Sequence, residues 1–260
     1  MSVLLKDSDN ALIYTFLSGC ELVEEPFTKR LETEPKAYAH GGVLVSDEKV
    51  SARVISVHGI FNKTSQTLME AELNSMKKAC YTEDLRLYAT QYANDFYNVE
   101  CLSFEHTFLG MLTVVEINID FLVSDPFRYY MDETPDDETV DELSHNYVIA
   151  NEGDIEVFPV ITFTVGAGAS ISKIAITNIT DAGKSFEYTP ASNLIATNVV
   201  EVDCQNGTVE LNTGAGLSDD IAHWSGRFIR LLSGNNSITI TVEGTIGTNQ
   251  CLCTFRKRWL

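Results

Sequence analysis

The feature that most constrains this chain is a strict two-residue alternation that a proline cuts off. In Val115–Tyr130, VEINIDFLVSDPFRYY, the residues Val115, Ile117, Ile119 and Phe121 alternate with Glu116, Asn118 and Asp120. A period of two predicts a β-strand with one buried face. Leu122 and Val123 break the alternation, and Ser124-Asp125-Pro126 ends it. Pro126 has no N–H for a sheet ladder, and it drives Asp125 away from helical backbone angles. Phe127, Tyr129 and Tyr130 follow at once, ahead of DETPDDETVDE, where seven of eleven residues are acidic. The segment is either the seat of an active carboxylate or the seam between two domains.

The same alternation recurs on both sides of this seam. Upstream, strands are expected at Leu12–Phe16, from Gly41, at Val50–Val57, at Leu85–Tyr88, at Phe96–Cys101, at Phe104–Phe108 and from Gly110 to Phe121. In the Val50–Val57 stretch, Val50, Ala52 and Val54 are read as one face, with a change of phase at Ile55 and Val57. One helix interrupts them. Thr67-Leu-Met-Glu70 has the form of a capping box, and Met69, Leu73, Met76 and Cys80 recur at helical spacing up to Tyr81. That stripe is expected to pack on the domain's own sheet. The first half is therefore α+β. Downstream, short alternating runs are separated by Gly and Asn turns. They lie at 158–165, 172–177, 199–203, 208–211, 227–231, 237–242 and 251–255, with Asn206-Gly207 a hairpin signal and Gly234-Asn235-Asn236 a turn. This pattern predicts a β-sandwich. The expected division is 1–131, an acidic linker or loop at 132–146, and 147–260, with the last strand a candidate for packing on the first domain.

Charge narrows the function. The chain has 37 acidic and 18 basic residues, a formal net charge of −19. Such an excess argues against a nucleic-acid or anionic-membrane partner. No apolar run reaches bilayer-spanning length, and the N-terminus lacks a secretory apolar core, so a cytoplasmic site of synthesis is expected. The six cysteines form no CxxC or CxxH motif. Free, mostly buried thiols in a reducing compartment are expected, and Cys251-Leu-Cys253 reads as a buried pair rather than a metal site.

No catalytic motif emerges. Asp125 lacks a nearby apolar setting that would raise its pKa, so it reads as a turn residue before proline. His40, His58, His106, His145 and His223 fall in no ligand or HExxH spacing, and the Gly166 and Gly214 loops are too short to cradle a phosphate. Trp224, in His223-Trp-Ser-Gly-Arg227, is a weak candidate for stacking on a sugar ring; core-edge packing is the plainer alternative. No enzyme activity, cofactor or metal is expected.

The order of these pieces resembles a known family. Gly41-Gly42 precedes a strand. Arg53-Val-Ile-Ser-Val-His-Gly59, the 67–81 helix and Asp125-Pro126-Phe127-Arg128-Tyr129 come next, followed by a sandwich with Phe228-Ile-Arg-Leu-Leu-Ser-Gly234-Asn235-Asn236-Ser-Ile. Over nearly the whole chain this resembles the distal tail protein (Dit) family of siphophages. The resemblance implies a mainly β protein: an N-terminal α+β ring-forming domain (β-sheets or a split barrel with one helix) and a C-terminal galectin-like β-sandwich. It implies a structural part of the phage tail tip or baseplate, a homohexameric ring in the virion, assembled in the host cytoplasm. Its expected partners are further copies of itself, the tail tube protein, the tail-associated hub protein and the tape measure protein. Asp125, Pro126, Phe127, Tyr129 and Tyr130 then become junction or interface residues. An acidic lumen or rim would let DNA pass without sticking. The alternative is a carbohydrate-binding tail protein that touches the host surface through its sandwich. The galectin sugar-binding set is not reproduced around Trp224, and the chain leaves no room for an inserted sugar-binding module.

Overall fold

The computed structural model describes residues 3–16, 20–26, 29–35, 42–89 and 94–260. Gly41 and His40 lie outside the described residues. The chain divides into two compact units, Met1–Tyr129 with Leu260, and Tyr130–Trp259. No helix among the described residues is long and apolar enough to cross a membrane.

In the first unit, the strands run in the order Leu12–Thr15, Val3–Lys6, Leu85–Ala89, Asp95–Phe108, Val114–Val123, Arg53–Asn62 and Cys20–Glu24. Each neighbouring pair is antiparallel. Lys29–Pro35 and Gly42–Val50 pair separately as a two-stranded ribbon. The opening alternation holds without a break to Val123. Val115, Ile117, Ile119, Phe121 and Val123 are all fully buried.

The helix Gln66–Cys80 covers this apolar face with Met69, Leu73, Met76, Ala79 and Cys80. Burying each large side chain contributes roughly 1.5–3 kcal/mol, so the stripe anchors the helix far more firmly than helix propensity could. Its N-cap is Ser65 rather than Thr67. Ser65 has extended backbone angles, and its hydroxyl accepts from the Leu68 N–H at 3.3 Å, which places Thr67 inside the first turn. The expected Val50–Val57 strand is corrected too. The strand begins at Arg53, and Arg53, Ile55 and Val57 face inward. The later phase wins because those residues sit opposite Val123, Phe121 and Ile119 of the buried row.

The other face of this sheet is polar and cross-linked. Asp120 accepts from the Ser56 hydroxyl at 2.6 Å and the Ser103 hydroxyl at 2.9 Å, which ties three strands together. His58 Nε2 lies 3.0 Å from Glu116 Oε1. Gly59 is required where this strand meets Cys20, because a Cβ there would lie 2.6 Å from the Cys20 Sγ and 2.9 Å from its Cα.

The second unit is a sandwich of two antiparallel sheets around one core. One sheet runs Thr134–Val140, Asn249–Phe255, Val160–Thr164, Val199–Asp203, Thr208–Asn212 and Leu217–Asp219. The other runs Ser144–Asn151, Gly234–Thr245, Ser170–Asn178, Lys184–Tyr188 and Trp224–Gly226. Two expectations are revised here. Residues 227–230 are not a strand: the chain leaves the sheet at Gly226 (φ 99°), where a Cβ would strike the Ser185 carbonyl oxygen at 2.3 Å. Asn235 and Asn236 are not a free turn, since they pair with Ala150 and Ile149 in a strand that begins at Gly234. Asn249–Phe255 pairs on both sides within its own sheet.

The acidic stretch is also structured. Thr134–Val140 is an edge strand, not a linker or loop, in register from Thr134↔Phe255 to Val140↔Asn249. Asp136 and Glu138 stand opposite Cys253 and Cys251, both core-facing, so these two carboxylates share the inward face with buried Val140. Pro135, Asp137 and Thr139 face solvent. Burial, with Glu138 and Asp137 beside it, pushes the Asp136 carboxyl above its ordinary range. The density of acid suggested self-repulsion; the two-residue alternation within it carries the structure. Pro135 and inward charges on an edge strand discourage further strand addition.

Candidate assembly site

The segment after the central strand is held by a column of rings. Tyr88 packs against Phe96 at 5.5 Å between centroids, and Phe96 stacks on Tyr129 at 5.9 Å with 23° between planes. Cations cover the column: Lys6 Nζ lies 4.3 Å from the Tyr88 centroid, and the Arg86 guanidinium 4.6 Å from that of Phe96. Asn10 Oδ1 accepts from Arg86 at 2.8 Å and from the Tyr88 hydroxyl at 2.7 Å. The Tyr129 hydroxyl donates to the Asp125 carboxylate, so the residue before Pro126 receives a bond from four positions on. Arg128 pairs with Asp95 at 3.0 Å. Burial holds the Asp95 carboxyl above its usual range, and Arg128 partly opposes this. Asp125 thus serves the turn and the Tyr129 hydroxyl.

Of the sequence-derived candidates, Asp125, Pro126, Phe127 and Tyr129 fall in the first unit and Tyr130 opens the second. Within the second unit, Tyr130 donates its N–H to the Lys257 carbonyl at 3.0 Å, and its ring meets Trp259 edge-on at 5.8 Å. Lys257 Nζ lies 5.5 Å from the Tyr130 centroid.

Trp224 belongs to a different cluster. Its indole is 4.5 Å from the Phe228 centroid and stacks on Phe186 at 6.1 Å with 7° between planes. It is half-buried against the sandwich core, and its ring contacts are with core aromatics. Beside it, His223 Nδ1 lies 2.6 Å from Asp220, whose carboxylate also accepts from the Tyr188 hydroxyl.

Sequence reasoning missed a buried polar corner in the sandwich. Asn178 is fully buried, and its amide donates to the Arg230 carbonyl at 2.7 Å and to Asn236 Oδ1 at 3.1 Å. Its own oxygen accepts from the Thr180 and Asp181 N–H groups at 3.0 and 3.3 Å. The turn so formed places Asp181 against Arg230, in two bonds of 2.8 and 3.0 Å, and near Lys184 at 2.9 Å. Glu156 takes the remaining face of Arg230 at 2.7 Å. Hydrogen bonding from Arg230, aided by Lys184, outweighs burial and lowers the Asp181 carboxyl to about 2. Asn236, also fully buried, both donates to and accepts from Leu232 at 2.8 Å. The visible signal was Asn at a strand terminus next to Thr-Asp, but such Asn residues are as common in exposed turns.

Among the described residues, no group of three or more His, Cys, Asp and Glu side chains is arranged to hold a metal ion. These features define a two-unit, mainly antiparallel β protein whose interior polar groups hold strands and loops in place. Residues 152–259 match the family model described as siphovirus-type tail component, C-terminal domain. The whole chain is similar in fold to the SPP1 Dit (gp 19.1) protein, with a TM-score of 0.72 at 15% identity over 99% of both chains. The structure of that protein is described as a paradigm of the hub adsorption apparatus of phages that infect Gram-positive bacteria. A component of the phage P2 baseplate aligns over 98% of this chain and 97% of its own, at 9% identity and a TM-score of 0.44. No curated protein matches the sequence. The match over residues 152–259 is to a siphovirus-type tail component, in line with the resemblance to the distal tail (Dit) family read from the sequence. The expected mainly β fold class holds as well.

Proposed function

We propose that the chain is a non-enzymatic ring component of a phage tail tip, six copies joining the tail tube to the hub that carries host-recognition parts. The carrying observation is the family match over residues 152–259 together with likeness of fold to SPP1 Dit along the full chain. In this reading, the first unit forms the ring. Its sheet ends in Leu12–Thr15 at one edge and Cys20–Glu24 at the other, and neither has a second partner strand among the described residues. Two unlike open edges suit head-to-tail contacts that close into a ring. The column from Tyr88 to Tyr129 stiffens the segment ending in Asp125, Pro126, Phe127 and Tyr129, and Tyr130 begins the sandwich. The polar sheet face bearing Glu105, Glu116 and Asp120 supplies negative charge to the channel wall, where DNA phosphates meet repulsion. The tube, hub and tape measure proteins are the partners, and assembly takes place in the host cytoplasm.

The test is mass photometry and negative-stain microscopy of the purified chain over a concentration series, with and without the tube protein. Six-fold rings of 28.8 kDa subunits are expected. Monomers at every concentration in both conditions overturn the ring.

A further inference from the structure

The hairpin signal Asn206-Gly207 is also the one Asn-Gly pair in the sequence. That pair is chemically labile: glycine has no side chain to hinder attack of its backbone nitrogen on the preceding asparagine Cγ. The hairpin joins Val199–Asp203 to Thr208–Asn212, in register from Val199↔Asn212 to Asp203↔Thr208, and Asn206 is exposed at its tip. Yet both nitrogens that the reaction must free are held by Asp203. The Gly207 N–H donates to the Asp203 carbonyl at 2.9 Å, and the Asn206 side-chain amide donates to Asp203 Oδ2 at 2.7 Å. Asp203 Oδ1 fixes the backbone between them, accepting from the Gln205 and Asn206 N–H groups, each at 2.9 Å. A side chain hydrogen-bonded to the backbone two or three positions on locks a turn in one conformation. The Phe228 ring lies against Gly207, where φ is 69° and a Cβ would come 3.3 Å from Phe228 Cε2.

We propose that Asn206 is a conformation-gated modification site: water converts it to aspartate or isoaspartate when the hairpin opens, and the Asp203 hydrogen bonds suppress the reaction while the hairpin is closed. In the open hairpin the Gly207 nitrogen gives its proton to hydroxide and attacks Asn206 Cγ. A C–N bond forms, and the side-chain nitrogen takes up a proton and leaves as ammonia. Water then opens the cyclic imide at either carbonyl, giving aspartate or isoaspartate; no oxidant or reductant is consumed. In the closed hairpin the attacking N–H is committed to the Asp203 carbonyl and the leaving amide to its carboxylate. The product also resists closing. Aspartate at this position loses the donor to Asp203 Oδ2 and sets two carboxylates against each other, and isoaspartate lengthens the main chain inside the turn. A chain that folds promptly therefore keeps Asn206, and one that lingers open is marked at the hairpin it failed to close. This chemistry is independent of the ring reading.

The test incubates the full chain in mildly alkaline buffer, once native and once unfolded in guanidinium chloride, and follows the Asn206 peptide by chromatography and mass spectrometry. Two hydrogen bonds must break before the ring closes, each a factor of about ten at most, so the native chain is expected to react about ten- to a hundredfold more slowly. In the unfolded chain Asn206 is expected to react ahead of every other asparagine. Asp203→Ala, with tryptophan fluorescence confirming a folded sandwich, is expected to raise the native rate by up to about tenfold. A native rate within about twofold of the unfolded rate overturns the proposal. So does an Asn206 that stays intact in the unfolded chain, or an unchanged rate in folded Asp203→Ala.

Discussion

Asn178 is the side chain whose loss has the most calculable cost. It is fully buried and makes four hydrogen bonds, to the Arg230 carbonyl, Asn236 Oδ1 and the Thr180 and Asp181 N–H groups. Asn178→Ala strands the Arg230 carbonyl and the Thr180 and Asp181 N–H groups, while Asn236 Oδ1 keeps the Leu232 N–H. Each buried polar group left unsatisfied costs about 1–3 kcal/mol, and those at the loop recover some water, so a loss of about 3–5 kcal/mol is expected. That is a large share of the roughly 5–15 kcal/mol that holds a domain together. The assay is built into the chain. Its two tryptophans, Trp224 and Trp259, are both in the second unit, so tryptophan fluorescence during urea unfolding follows that unit. With a slope of about 1–3 kcal/mol per molar urea, the midpoint should fall by about 1–5 M. Asn178 also sets the turn that presents Asp181 to Arg230. The double variant with Arg230→Met should therefore cost less than the sum of the single variants, by about 0.5–3 kcal/mol. A midpoint shift below about 0.5 M for Asn178→Ala, or strict additivity in the double variant, refutes the argument.

Two further outcomes follow from the same unit. The Asp181 carboxyl is lowered from 3.8 to about 2 in the folded chain, so the stability it contributes is complete above its unfolded value and is lost as pH falls through 2. Its upper bound is about 2.5 kcal/mol, discounted to about 1–2 kcal/mol because Arg230 is partly solvated; Asp181→Asn should trail wild type by that amount at pH 5 and converge with it near pH 2 in urea titrations, and a constant gap would contradict this. Asp136→Val with Glu138→Val removes the inward charges of the edge strand; light scattering at 37 °C should rise faster than in wild type, with Asp137→Val as the outward-facing control, and equal rates for all three proteins would sink the edge-protection account.

Much of this architecture was legible from alternation alone. The row Val115–Phe121, the helical stripe from Met69 to Cys80 and the clean run Ser237–Val242 each found their predicted element, because one face is buried and any slip in register would expose it. Thr134–Val140 was not legible, because its inward positions carry carboxylates and hydropathy sees no strand there. Residues 227–230 misled in the opposite sense: Phe228, Ile229 and Leu231 are apolar enough for a strand, but Gly226 turns the chain away and Arg230 is committed to Asp181. The polar corner around Asn178 escaped notice because two of its partners, Arg230 and Asn236, lie 52 and 58 residues away. Sequence separation hides such a network, whereas the ordered motifs that carry the family resemblance are local.

The position of Asn249–Phe255 has a consequence for how the protein is made. This strand lies between Thr134–Val140 and Val160–Thr164, so its sheet lacks an inner member until residue 255 has left the ribosome. The central strands of the first unit are all present once Val123 has emerged. Synthesis therefore delivers the two units on different schedules. The first can fold while translation continues, whereas the sandwich waits with its hydrophobic half-sheets unpaired. A ribosome stalled between these points would carry a finished first unit and an aggregation-prone second one.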